Sequence, residues 1–85
     1  MRVYAGRVQD DLDHDSPVPL YRQLAERLRE RIAAEQLTRL PSWRTLTQEY
    51  GVSRPTVEDA IKILRDAGEV FVVDGKGTFV AARPE

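Results

Sequence analysis

The chain predicts an α+β fold in which three helices precede a two- or three-stranded β-sheet, and three observations carry the prediction. Apolar residues recur at helical spacing from Leu20 to Leu64. Two serines, Ser42 and Ser53, each stand where a new apolar period begins, with Gly51 between them. Two β-branched and aromatic runs then flank Asp74-Gly75-Lys76-Gly77, which has turn residues where a hairpin needs them. Eighty-five residues provide for one such domain, burying about 60–65% of the unfolded surface, and leave no room for a second.

Taken in order, residues 1–18 form an N-terminal segment. Residues 1–8 alternate loosely (Val3 and Ala5 against Tyr4 and Gly6) and are read as a short edge strand. Residues 9–18 are acidic, contain Pro17 and lead into Pro19, so they are read as a mobile linker. The domain proper covers residues 19–82, with 83–85 as a tail. Leu20, Leu24, Leu28 and Ile32, flanked by Tyr21, Ala25 and Ala33, make the buried stripe of a first helix ending near Glu35. Residues 37–40 are a short link. Ser42 caps a two-turn second helix in which Trp43, Leu46 and Tyr50 share a side, and Gly51 closes it in a left-handed conformation. Ser53 caps a third helix. Pro55 sits in its first turn, where a missing N–H costs nothing, and Val57, Ala60, Ile61 and Leu64 are its core stripe up to Gly68. Residues 69–73 and 78–82 are the hairpin strands, with Phe71 and Phe79, like Tyr21, read as core and sheet residues.

Composition excludes several chemistries. With no cysteine and one histidine there is no disulfide framework, thiolate site, thiol nucleophile or multi-histidine metal site, and a His-based triad is ruled out. His14 is read as solvated. Asp11, Asp13 and Asp15 copy the start of a calcium loop, but Ser16 and Arg22 occupy the places that require glycine and glutamate. Gly75-Lys76-Gly77-Thr78 is not a nucleotide loop, because no glycine stands five residues before the lysine and no helix follows. No catalytic site, metal or cofactor is expected, and the chain is read as a non-enzyme. It shows neither an apolar run of about 18 residues nor a secretory leader, so a cytoplasmic location is expected. Net charge is −1, and the acids are concentrated early: residues 1–16 carry Arg2 and Arg7 against Asp10, Asp11, Asp13 and Asp15, which leaves the remainder at +1. A polyanion partner is thus decided by where the basic residues sit.

Their placement points to DNA. Pro19-Leu20-Tyr21, Leu40-Pro41-Ser42 with Arg44 and Leu46, Gly51-Val52-Ser53-Arg54 with Thr56-Val57, then Ala60 and Leu64, then Gly75-Lys76-Gly77-Thr78-Phe79-Val80 closely resemble, as an ordered set, the N-terminal winged helix-turn-helix domain of GntR-family bacterial transcriptional regulators. The resemblance implies that Arg44, with Ser53, Arg54, Pro55 and Thr56, faces double-stranded DNA, and that a wing tip of Gly75, Lys76 and Gly77 reaches the minor groove or backbone. It also implies a repressor that acts by occupying an operator. The chemistry agrees: hydroxyls and free N–H groups at a helix N-terminus suit phosphates, and an arginine there can address guanine O6 and N7.

Four departures qualify the resemblance. The segment before Leu40-Pro41 lacks the family's usual Pro-Gly, which predicts an abbreviated first strand in the wing. Trp43 replaces a usual acid and is read as a core-edge residue packing with Leu46 and Tyr50. Glu58 stands where many members carry a base-reading arginine, with Asp59 beside it. Placed in the first turn, these acids are macrodipole partners on one reading; on another, Glu58 accepts from a cytosine amino group; on a third, they turn the domain into a protein-interaction module with weak DNA binding. Finally, no effector domain follows in this sequence, so no small-molecule effector is expected, and a homodimer would form through helix one or the N-terminal segment.

Overall fold

The computed structural model describes residues 12–81. The strand read over residues 1–8, together with Asp10, Asp11, Ala82 and the tail, lies outside the described residues. Within them the order is α1 (Leu20–Glu35), α2 (Trp43–Tyr50), α3 (Arg54–Asp66), β1 (Val70–Val73) and β2 (Gly77–Val80).

The helical periods close one core. Leu24, Leu28, Leu46, Val57 and Leu64 are the largest fully buried side chains, joined by Ala25, Ala60, Leu40 and Val70. Each buried leucine or valine contributes about 1.5–3 kcal/mol by leaving water. Ile61, expected in the stripe of α3, is only partly buried, as Trp43, Tyr50 and Ile32 are, and packs against the core from its margin. Two ion pairs tie α1 to its neighbours: Arg31 to Glu49 of α2, and Arg29 to Glu69 ahead of β1, both at 2.8 Å.

Both α2 and α3 begin as their serines predict. Ser42 Oγ accepts from the Thr45 N–H at 3.2 Å, and Ser53 Oγ from the Thr56 N–H at 3.3 Å. Gly51, at φ 65, lets the chain leave α2 and enter α3 within three residues. α1 has no such cap, since Pro19 precedes it. Its N-terminal region is instead organised by Gln23, whose Oε1 accepts from the Asp13 N–H at 2.7 Å while Nε2 donates to the carbonyls of Asp13 and Val18. Leu12 is buried with the core. Residues 12–18, read as a linker, thus contact the domain: one glutamine side chain satisfies three of their backbone groups, and Leu12 packs with the core.

β1 and β2 are antiparallel in the register Val70↔Val80 to Val73↔Gly77. The link after α1 is more than a link. Arg39 bridges Phe79, with Leu40 N–H donating to Thr78 and Val80 N–H donating to Thr38, each at 2.9 Å. A first wing strand is thus present, abbreviated to a single bridge. Phe71 departs from its expected core role: it is 46% exposed on the wing and stacks on Phe79 with centroids 5.9 Å apart.

Candidate nucleic-acid interface

Two serine-capped helices meeting through a glycine turn place their first residues side by side, and Trp43 joins them. Trp43, the first residue of α2, packs partly against the core. Its ring carries two arginines: the Arg54 guanidinium carbon lies 4.1 Å from the centroid and that of Arg44 lies 5.2 Å away. Cations over an indole face are favoured by about 0.5–1 kcal/mol at exposed sites. The ring therefore gathers the two arginines that were assigned to DNA from separate elements.

The acids behave differently from the macrodipole reading. Arg54 is the first residue of α3, so Glu58 and Asp59 fall beyond the first turn, which contains no acid. Glu58 Oε2 instead accepts from Arg54 Nε at 2.9 Å, with both side chains 55% exposed. Arg54 therefore projects outward, held on two sides.

The helix N-terminus offers fewer donors than expected. Pro55 has no N–H, the Thr56 N–H is taken by Ser53 Oγ, and the Val57 N–H by the Ser53 carbonyl at 3.2 Å. The hydroxyls of Ser53 and Thr56 also bond one another at 2.9 Å. Backbone capture of an anion here is left to the N–H groups of Ser53 and Arg54. Positive charge at this tip comes from side chains.

The wing supplies the rest. Residues 74–76 turn the hairpin, closed by Lys76 N–H donating to Val73 at 2.9 Å, and Gly75 and Lys76 lie exposed at the tip. Arg39, which sequence reasoning passed over, secures it. Its Nη2 donates to the Lys76 carbonyl at 2.6 Å, and its guanidinium covers the Phe79 ring at 5.4 Å. Gly77, at φ 120, gives it room: a Cβ there would stand 3.2 Å from Arg39 Nη2. No local pattern marks Arg39, because its partner is 37 residues away. Neither Arg44 nor Lys76 forms an ion pair among the described residues. A groove is lined by Trp43 of α2, by Glu58, Lys62 and Arg65 of α3, and by Arg39 and Gly77. All nine residues expected at DNA (Arg44, Ser53, Arg54, Pro55, Thr56, Glu58, Gly75, Lys76 and Gly77) thus lie exposed or half-exposed on the helix tips or the wing. Among the described residues no cluster of His, Asp and Glu is arranged to hold a metal ion, and no helix is long and apolar enough to cross a membrane.

The family of bacterial regulatory proteins named gntR matches residues 20–80. The chain is 43% identical over 76 residues to the probable rhizopine catabolism regulatory protein MocR of Rhizobium meliloti, covering 86% of this chain and 15% of that protein. It is 35% identical over 74 residues to the transcriptional repressor NagR of Bacillus subtilis, covering 84% and 30%. This chain therefore spans a minor part of the curated relatives it matches. Among solved structures it is similar to the AraR DBD in complex with operator ORE1 (TM-score 0.72, 34% identity, 87% of this chain and 94% of that one). It is likewise similar to YtrA from Sulfolobus acidocaldarius, a GntR-family transcription factor (TM-score 0.74, 34% identity, 87% and 81%). The arrangement of three helices followed by a wing is shared with these structures.

Proposed function

The chain belongs to the GntR family of bacterial regulatory proteins, and from that premise we propose that it is a sequence-specific DNA-binding transcriptional regulator that represses by occupying an operator. One observation carries the reading. Arg44 and Arg54 both lie over the ring of Trp43, at the first residues of α2 and α3, and Lys76 stands exposed at the wing tip. Arg54 reads base edges at the N-terminus of α3, while Arg44 and Lys76 neutralise phosphates. The relatives named as repressors and the operator-bound AraR DBD support DNA as the partner and leave the protein-interaction reading without a comparable observation. An operator-bound repressor works where the chromosome is, in the cytoplasm, and its chemistry is binding and not catalysis.

A single module of this size makes a small DNA interface, so two copies on half-sites about 34 Å apart are expected. Selection from a random duplex library tests the reading: the protein should enrich one motif, arranged as an inverted repeat. Sedimentation of the chain with the enriched duplex should give two protomers per duplex. A complex of one protomer on the full site contradicts the dimer, and a library left unenriched contradicts the function.

A further inference from the structure

Arg54 is poorly placed for helix stability. It sits at the positive end of the α3 dipole, where a cation is disfavoured, and its acid partner follows it by four residues, the weaker order for a helical pair. The helix alone therefore does not explain why this arginine is braced twice. Nε donates to Glu58 at 2.9 Å, and the guanidinium stacks on Trp43 at 4.1 Å.

Both contacts use the inner parts of the group. Nη1 and Nη2 have no hydrogen-bond partner among the described residues, and the side chain is 55% exposed. Guanine presents O6 and N7 to two parallel donors. With Nε committed to Glu58, the outer fork is the pair of donors left for a base. An unbraced arginine loses rotamer freedom when it engages its target, whereas one already stacked and bridged has lost much of it beforehand. Resting on the DNA-reading function proposed above, we infer that Trp43 and Glu58 are positioning residues that hold Arg54 end-on toward a guanine, setting specificity at that base pair through the arginine.

Glu58 has a second consequence. A carboxylate beside phosphates opposes indiscriminate binding, so the brace also works against the wrong sequence. This separates it from a merely structural role, because removing the charge should lower discrimination without lowering non-specific affinity.

The test uses the full chain, the enriched duplex, and a duplex altered at the base pair whose preference Arg54→Ala relaxes. Trp43→Ala and Glu58→Gln should each lower discrimination between the two duplexes by about threefold to tenfold, while Trp43→Phe keeps most of it. Glu58→Gln should bind random duplex at least as tightly as the parent. In an Arg54→Ala background neither change should lower discrimination further. In the free protein, the Arg54 Nε–Hε signal should show an ordered side chain by heteronuclear NOE, and that order should fall in Trp43→Ala. Unchanged discrimination, or equal losses with and without Arg54, overturns the inference while leaving the DNA-binding function intact. If the parent enriches no duplex, the function falls and this inference with it, even where the NMR signal shows Arg54 ordered.

Discussion

At the scale of single residues, the proposed function divides the site into side chains that would read bases and side chains that would neutralise phosphates. Arg54→Ala should weaken binding to the selected duplex by about 1–3 kcal/mol with little change on random DNA, because the lost contact is to a base. Lys76→Ala should weaken all duplexes alike and make binding less dependent on salt, because a phosphate contact carries no sequence information. Competition titrations against both duplex types separate these outcomes, and equal losses for Arg54→Ala on both would remove its base-reading role. The helix start that presents them was legible in the sequence: Ser53, Arg54 and Thr56 follow Gly51-Val52 as a capped helix start must. What was not legible is who holds them. The link between Trp43 and Arg54 crosses from one helix to the next, and that from Arg39 to the wing tip spans most of the domain. Neither has a periodic signature, and both depend on tertiary closure.

At the scale of elements, caps and turns fix how α2 and α3 present their tips. Gly51 at φ 65 has open space around its missing Cβ, so Gly51→Ala carries backbone strain alone, about 1 kcal/mol, and should lower thermal stability without abolishing the fold. Scanning calorimetry would measure this; an unchanged melting temperature would show that the turn relaxes. The limits of α1, α2 and α3 were readable because each combines an apolar period with a proline, serine or glycine at its boundary. The abbreviated wing strand was readable from a missing Pro-Gly. The ordering of residues 12–18 was not: acidic and proline-containing sequence reads as linker, and nothing local shows that Gln23, a polar helix residue, satisfies three backbone groups outside its own helix.

At the scale of the whole molecule, a small leucine-rich core holds the interface in shape. At about 0.05–0.15 kcal/mol per residue, a chain of this length has roughly 4–13 kcal/mol of stability. Leu46 is fully buried. Leu46→Ala should cost about 2–5 kcal/mol, enough to unfold a large share of the protein at the lower end of that range, and urea denaturation reads the loss directly. The arginine side of the ion pairs from α1 keeps its charge over the ordinary pH range. The pKa values of Arg29 and Arg31 are raised, chiefly by hydrogen bonds to Glu69 and Glu49 respectively. Stabilisation from a raised base is complete below its unfolded pKa and is lost only as pH climbs through the folded one, which for these arginines lies far into the alkaline range. Charge across the whole surface gives the most direct test of DNA as the partner: the affinity of the chain for its selected duplex, measured over a series of salt concentrations. The logarithm of the affinity should fall linearly with the logarithm of salt, by about 0.9 for each phosphate neutralised, and the slope should become shallower by about one such step in Lys76→Ala. A flat response, or no binding at the lowest salt, would contradict it.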